Sequence, residues 1–316
     1  MTPRILSIVI PVRNQPGTLA KLLEALDKLV MPEGWQIEII CVDNASTDST
    51  PAVIERHGAR YLREERLGPS HARNRGAAAA AGELLWFIDA DALPAADDFL
   101  LQLVSAVAEL GDFGGIGGPI VLPAEQRRNP IAFADHMACW SAWHPRRPTA
   151  ESDFQPTSLV VRRSVFEAVG GYDTGLRVLE DWDLQHRLIR SRRIAEGPEA
   201  PLRPIWFLQN LPVAHYARSS ILRSLRHSWY WGLPSRVGWL QRDGIDVRPL
   251  ERPVLRWLAW PRLLWQRVQH PLRTGWRTSR VSAVLSAPFL VLTLAAWTTA
   301  VIVGRGQPED DRFAPV

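Results

Sequence analysis

The sequence predicts an α/β fold: a Rossmann-like, mostly parallel central sheet with flanking helices, followed by a helical, membrane-associated C-terminal region. Three observations predict it. In the first half, continuous apolar runs of strand length alternate with segments of helical period. Acidic residues stand where two of those runs stop. Near the C-terminus, residues 281–304 hold 24 positions without a charge, directly behind an arginine-rich stretch.

ILSIVI (5–10) reads as a strand buried on both faces, ended by Pro11. TLAKLLEALDKL (18–29) has helical spacing. IEIICV (37–42) is a second buried strand, closed by Asp43 and Asn44. TDSTPAVIERHG then carries helix-start residues and a glycine stop at Gly58. A short RYL strand, a helix through HARNRGAAAAAG and the strand LLWFI (84–88) complete a βαβα series, which calls for a parallel sheet with helices on both faces. Residues 111–148, rich in glycine and proline, read as irregular structure around the site. SLVVR (158–162) is a further strand, RSVFEAVGG a short helix and EDWDLQHRLIR (180–190) another helix. Ligands of such sheets bind beyond the carboxyl ends of the strands, so Asp43 and the pair Asp89 and Asp91 are expected at one crevice. Two carboxylates so close repel unless a cation lies between them.

The chain of 316 residues, 46% hydrophobic and 22% charged, has the composition of a globular protein with one large domain and an appendage. Its two cysteines, Cys41 and Cys139, form no metal or disulfide framework, which points to a reducing compartment. No signal-peptide pattern opens the sequence, so the bulk of the protein is expected in the cytoplasm. From Arg203 to Arg280 there are fourteen arginines against three acids, and nine of the fourteen tryptophans fall at or after Trp206. That mixture suits nucleic acid or anionic lipid headgroups. The uncharged run decides for lipid and against nucleic acid, because as a helix it spans about 30 Å, the thickness of a bilayer core. Arginines precede it and PEDD (308–311) follows, so the positive-inside rule puts the preceding chain in the cytoplasm. The expected organisation is an α/β domain (1–235), interfacial basic helices (236–280), a transmembrane segment (281–304) and a short tail (305–316). The segment makes a single pass, a hairpin or an in-plane helix at the cytoplasmic face of the inner (plasma) membrane.

SIVIPVRN, VDNASTDST (42–50), GPSHARNRGAAAA (68–80), DAD (89–91) and VGGYD with LEDWDLQHRL, in this order, resemble family 2 glycosyltransferases of the GT-A fold over roughly residues 5–235. The resemblance implies donor-binding roles for Pro11, Val12, Arg13, Asp43, Arg73, Asn74, Asp89 and Asp91. It implies Mg²⁺ or Mn²⁺ held by Asp91 directly, with Asp89 on the ribose or on the metal through water and His215 facing the diphosphate or completing the metal shell, since hard cations take carboxylate and phosphate oxygens. Asp181 is the implied base for an acceptor hydroxyl, with Glu180 and Asp183 as supporting acids at the helix start. The implied partners are a nucleotide-diphosphate sugar and a lipid-linked or envelope glycan acceptor, joined with inversion. DNASTD departs from the commoner DDGSTD, which leaves the donor base open. Two other readings compete: a catalytically silent membrane adaptor, and a sugar nucleotidyltransferase, for which the first loop PVRNQPGTL lacks a glycine-rich signature.

Overall fold

The computed structural model describes residues 3–152, 155–176, 178–233 and 255–304. The chain forms two compact units: Met1–Val121 with Pro145–His215, and Leu122–His144 with the described residues from Tyr216 onward.

The first unit is built on an eight-stranded sheet. β1 (Arg4–Val12) lies between β2 (Trp35–Asp43) and β4 (Leu84–Ile88), parallel to both. This explains its uninterrupted apolar run: Ile8, Val9 and Ile10 are fully buried. The strand continues through Pro11 to Val12, where the sequence suggests a stop at the proline. Pairing with β4 has already ended at Val9, so the missing N–H loses no ladder bond on that side. β3 (Arg60–Arg63) adds to β2 in parallel. Beyond β4 come β9 (Ser158–Arg162), antiparallel to it, then β6 (Gly115–Gly117), β10 (Ile205–Phe207) and β8 (Ala150–Ser152). Six of the eight strands run one way, with β9 and β8 reversed. A small second sheet joins β5 (Ala92–Pro94), β11 (Val213–His215) and β7 (Ile120–Val121).

Alternation along β4 divides the core between the two sheet faces. Leu85 and Phe87 pack with Ala72 and Ala77 of α3 (Pro69–Ala79), Phe166 of α6 (Arg163–Ala168) and Leu184 and Leu188 of α7 (Glu180–Ile189). Trp86 points to the other face and stacks on Phe99 of α4 (Phe99–Leu110) at 4.8 Å, its indole N–H donating to Ser158 Oγ. α1 (Pro16–Leu26) buries Leu19, Leu22, Leu23 and Leu26, one helical face. α2 (Thr50–Arg56) and α8 (Ser191–Glu196) are short.

The second unit is helical. The sequence suggests irregular structure across 111–148, but Pro130–Trp140 is a helix, α5. Its proline occupies the first turn, where no N–H is needed, and Asn129 Oδ1 accepts from the N–H groups of Ile131 and Ala132. α5 is joined by α9 (Ile221–Gly232), α10 (Leu255–Thr278) and α11 (Arg280–Val303). Of the expected interfacial stretch, residues 236–254 lie outside the described residues, as does the tail from 305. α11 has mean hydropathy 1.8, and half of its most apolar window is buried within the protein.

Candidate active site

Because β1, β2 and β4 are parallel, Val12, Asp43 and Asp89 emerge at one edge of the sheet. There Asn14, with φ +52°, turns the chain back. Its N–H donates to Ser46 Oγ and its Oδ1 accepts from Thr47 N, so the loop after β1 is tied to the loop after β2. Val12 is buried and its carbonyl accepts from Asn44 N; Pro11 is partly buried and Arg13 exposed.

Asp43 is fully buried, and protein groups engage both of its oxygens. Oδ1 accepts from Ser46 N at 2.9 Å; Oδ2 accepts from Tyr61 Oη at 3.1 Å and Arg63 Nη1 at 3.0 Å. Asn44 uses its whole amide. Nδ2 donates to the carbonyls of Glu64 and Arg66, and Oδ1 accepts from Gly68 N. It thereby sets the entry into α3.

α3 carries Arg73 and Asn74 to opposite tasks. Asn74 makes a reciprocal pair with the Tyr172 backbone, 2.8 and 2.9 Å, which pins the VGGYD loop. Arg73 bridges two carboxylates 91 residues apart in sequence: Nη2 to Asp89 Oδ1 and Nη1 to Glu180 Oε1, each 2.8 Å. Its guanidinium also lies over the Tyr172 ring at 5.1 Å, and these partners hold its pKa well above the ordinary arginine value despite the opposing effect of burial.

Asp89, Asp91 and His215 converge, with ligating atoms all within 4.8 Å of one another. Strand pairing brings this about: β11 runs antiparallel to β5 and sets His215 opposite Ala92, so its Nε2 lies 3.3 Å from Asp91 Oδ1. Asp89 is further fixed by its N–H donating to Thr157 O. Two residues earlier, Gln155 and Gln185 of α7 exchange hydrogen bonds of 2.7 and 2.9 Å, so α7 is anchored beside the same edge.

α7 opens with Leu179 in the left-handed region, φ +66°. Glu180 is buried, and its Oε2 has no hydrogen-bond partner among the described residues. Burial raises its carboxyl pKa against the pull of Arg73. Asp181 is half-buried; desolvation, then the neighbouring Glu180 charge, push its carboxyl up to about 7. Asp183 faces Arg187 one turn on, in an ion pair with Nη2 at 2.6 Å.

The structure thus brings Asp89, Asp91, His215, Arg73 and Glu180 together, while Asp43, Asn74 and Asp183 each bond to other protein groups. Sequence reasoning missed Tyr61, Arg63, Thr157 and Gln155, which show no motif, and Asn14, whose tolerance of positive φ was a usable signal. A groove of about 500 Å³ lined by Glu64, Arg66, His71 and Arg75 lies along α3 and contains none of the acidic cluster. Two carboxylates and an imidazole suit a hard divalent cation that shares its shell with phosphate oxygens. One guanidinium in direct contact with two of several clustered carboxylates leaves negative charge for such a cation to balance.

The profile of the family described as "Glycosyl transferase family 2" matches residues 7–170. The chain is 30% identical over 178 residues to glycosyltransferase AglE of Haloferax volcanii, which is 54% of this chain and 56% of that protein. It is 26% identical over 194 residues to a PGL/p-HBAD biosynthesis glycosyltransferase of Mycobacterium tuberculosis, 59% of this chain and 70% of that one. The chain thus spans about half the length of the first of these relatives. Among solved structures, it is similar to mannosyltransferase PcManGT from Pyrobaculum calidifontis in complex with GDP-Man and Mn²⁺. The TM-score is 0.59 at 20% identity, over 96% of this chain and 87% of that one. S. aureus TarS 1-349 in complex with UDP gives 0.54 at 16%, over 93% and 89%. At these identities the likeness is one of fold, GT-A. With the profile covering more than half of its residues, the chain belongs to glycosyl transferase family 2.

Proposed function

We infer that this protein is a metal-dependent inverting glycosyltransferase, which moves a hexosyl or deoxyhexosyl group from a nucleotide-diphosphate sugar to a hydroxyl of a lipid-linked or envelope glycan acceptor. The observation that carries the reading is the Asp89–Arg73–Glu180 bridge, which couples the DAD edge to the start of α7. Donor and acceptor ends of one reaction are thereby held in fixed relation.

Asp91, Asp89 and His215 would hold Mg²⁺ or Mn²⁺. When bound, the ion supplies Lewis-acid stabilisation of the diphosphate leaving group. The remaining work belongs to side chains. Pro11, Val12 and Arg13 line the donor's approach, and Asp43 acts on it through Tyr61 and Arg63, which it orients. Arg73 holds Asp89 in place through its 2.8 Å ion pair. Asp181, with a carboxyl near 7, takes the proton of the acceptor hydroxyl as the new bond forms. A base on the acceptor side opposite the leaving group gives inversion. The neighbours crystallised with GDP-Man and with UDP support a nucleotide donor in this fold. The arginine-flanked apolar helix α11 supports attachment at the cytoplasmic face of the membrane.

The test is calorimetric binding of UDP-, dTDP- and GDP-sugars with Mn²⁺ or Mg²⁺, to the protein and to Asp91→Ala, followed by NMR of the product anomer. One donor should bind only with metal, and the variant should not bind it. No binding with metal present overturns the donor reading; binding without transfer to any hydroxyl acceptor leaves the silent adaptor; retention of configuration overturns the role of Asp181.

A further inference from the structure

The helical unit carries a surface that sugar transfer does not use. On α11 the exposed positions from 281 onward are Val281, Val284, Leu285, Pro288, Val291 and Leu292. Steps of three and four residues place them in one stripe on one face. All six are apolar. The stripe covers the first half of the helix, about 17 Å from 281 to 292 at about 1.5 Å per residue. In the second half, Leu294, Trp297, Val301 and Ile302 are buried, the last three in a cluster with Leu263 of α10 and Trp231 of α9.

α10 runs antiparallel alongside: Trp260 Nε1 donates to Thr299 Oγ1, and the Arg267 guanidinium lies 4.1 Å from the Trp297 ring. Its own exposed residues include Trp257, Leu258, Trp265 and Trp276, interleaved with Arg262, Arg273 and Arg277. Near the turn between the helices, a groove of about 420 Å³ is lined by Leu272, Trp276, Ala283, Val284 and Ala287, with Arg273 and Arg277. It offers an apolar bed beside two guanidiniums.

We propose that this face docks flat on an anionic phospholipid bilayer, with the α11 stripe and the α10 tryptophans at the headgroup–acyl boundary and Arg273 and Arg277 on lipid phosphates. The proposal rests on the membrane attachment put forward above and gives it a geometry. α11 is long and apolar enough to cross a bilayer, but a helix standing upright meets lipid along the whole of the roughly 30 Å of hydrocarbon. Here the lipid-facing stripe stops at Leu292, and protein covers the turns after it. Standing α11 upright would also carry its antiparallel neighbour, with Arg262, Arg273 and Arg277, into hydrocarbon, where charge is strongly disfavoured. Lying flat, the stripe reaches the acyl boundary while the guanidiniums stay at the phosphates. Charge also favours lipid over a second copy of the chain, because a twofold contact through this face would set these arginines against one another.

The test uses the full chain and vesicles of phosphatidylcholine with or without phosphatidylglycerol, read by sedimentation. Val284→Ser with Leu285→Ser should lower vesicle partitioning by about tenfold or more, given the apolar area withdrawn from lipid. Arg273→Ser with Arg277→Ser should abolish most of the gain from phosphatidylglycerol. Unchanged circular-dichroism melts show that both variants fold. Depth separates flat from upright. A fluorophore is placed at Val284→Cys or Val291→Cys by maleimide in a Cys139→Ser background, because Cys139 is only partly buried while Cys41 is fully buried. Flat docking gives both sites the same shallow quenching by spin-labelled lipids; an upright helix separates them by about 10 Å in depth. Unequal depths overturn flat docking and leave attachment standing. No partitioning overturns both, and a concentration-dependent dimer lost in the serine variant overturns the lipid assignment. Donor binding in solution reports separately on the transferase.

Discussion

Asn44 stands where many relatives have an aspartate, and its surroundings give the reason. Two carbonyls, of Glu64 and Arg66, face its amide N–H groups. An aspartate there has no N–H to give and would set a charge against them. Asn44→Asp should therefore cost about 2 kcal/mol, read from chemical denaturation, since two buried acceptors lose their donors. Asp181 gives a pH signature. Its carboxyl, held near 7 against an ordinary 3.8, must be ionised to act as a base, so kcat should fall as pH drops below about 7. Stability has the opposite sign. Between pH 4 and 7 the folded state holds a proton that the unfolded chain has released, so this group's contribution to stability is lost as pH rises through that window. Asp181→Asn should abolish turnover and raise the Tm at pH 8; a variant that keeps its activity removes Asp181 from the mechanism.

At the scale of elements, α3 is the piece on which the site depends, and it approaches β1 through a glycine. A Cβ on Gly76 would lie 2.4 Å from Val9 Cγ1 and 3.0 Å from Val42 Cγ2. Gly76→Ala should destabilise the protein by about 1–3 kcal/mol through overpacking, despite alanine's better helix propensity. It should also weaken donor binding, because the helix that holds Arg73 must shift; thermal melts and donor titration check the two effects. Strand and helix positions in this part were legible: β2, β4, β9, α3, α6 and α7 lie where apolar runs, proline and glycine put them, and β1 does so except that it runs on through Pro11. Less legible were the short strands β5, β6, β7, β10 and β11, of two or three residues each, which hold no period long enough to read. α5 was hidden by a composition that suggested a loop, although Asn129 and Pro130 form a helix start in plain view.

At the scale of the whole molecule, Arg73 joins parts of the chain that sequence separates. It lies at 11% side-chain exposure between Asp89 and Glu180. Arg73→Ala would leave two carboxylates facing each other without their cation, at a cost of about 3 kcal/mol or more in stability. Activity should fall further than stability explains, and Arg73→Lys should recover only part of either, because a single ammonium cannot reach both acids in the same fork geometry. Denaturation and donor turnover on both variants decide this.

The sequence by itself determined the α/β alternation, the family, the acidic motifs and the apolar helix, because these follow from local periodicity and from residues adjacent in the chain. It also placed Asp89 and Asp91 at a strand end. Tertiary structure alone decided which acids meet which cations. His215 reaches Asp91 only through the β5–β11 register, and Arg73 reaches Glu180 only because α3 and α7 pack on one sheet face. It also gave Asp43 and Asn74 their protein partners, Tyr61 and Arg63 for the one and the Tyr172 backbone for the other. Such pairings depend on strand order and helix packing, which no local pattern encodes. The same holds for α11: its length and lack of charge are properties of sequence, but which half of it protein covers is set by the helices packed around it.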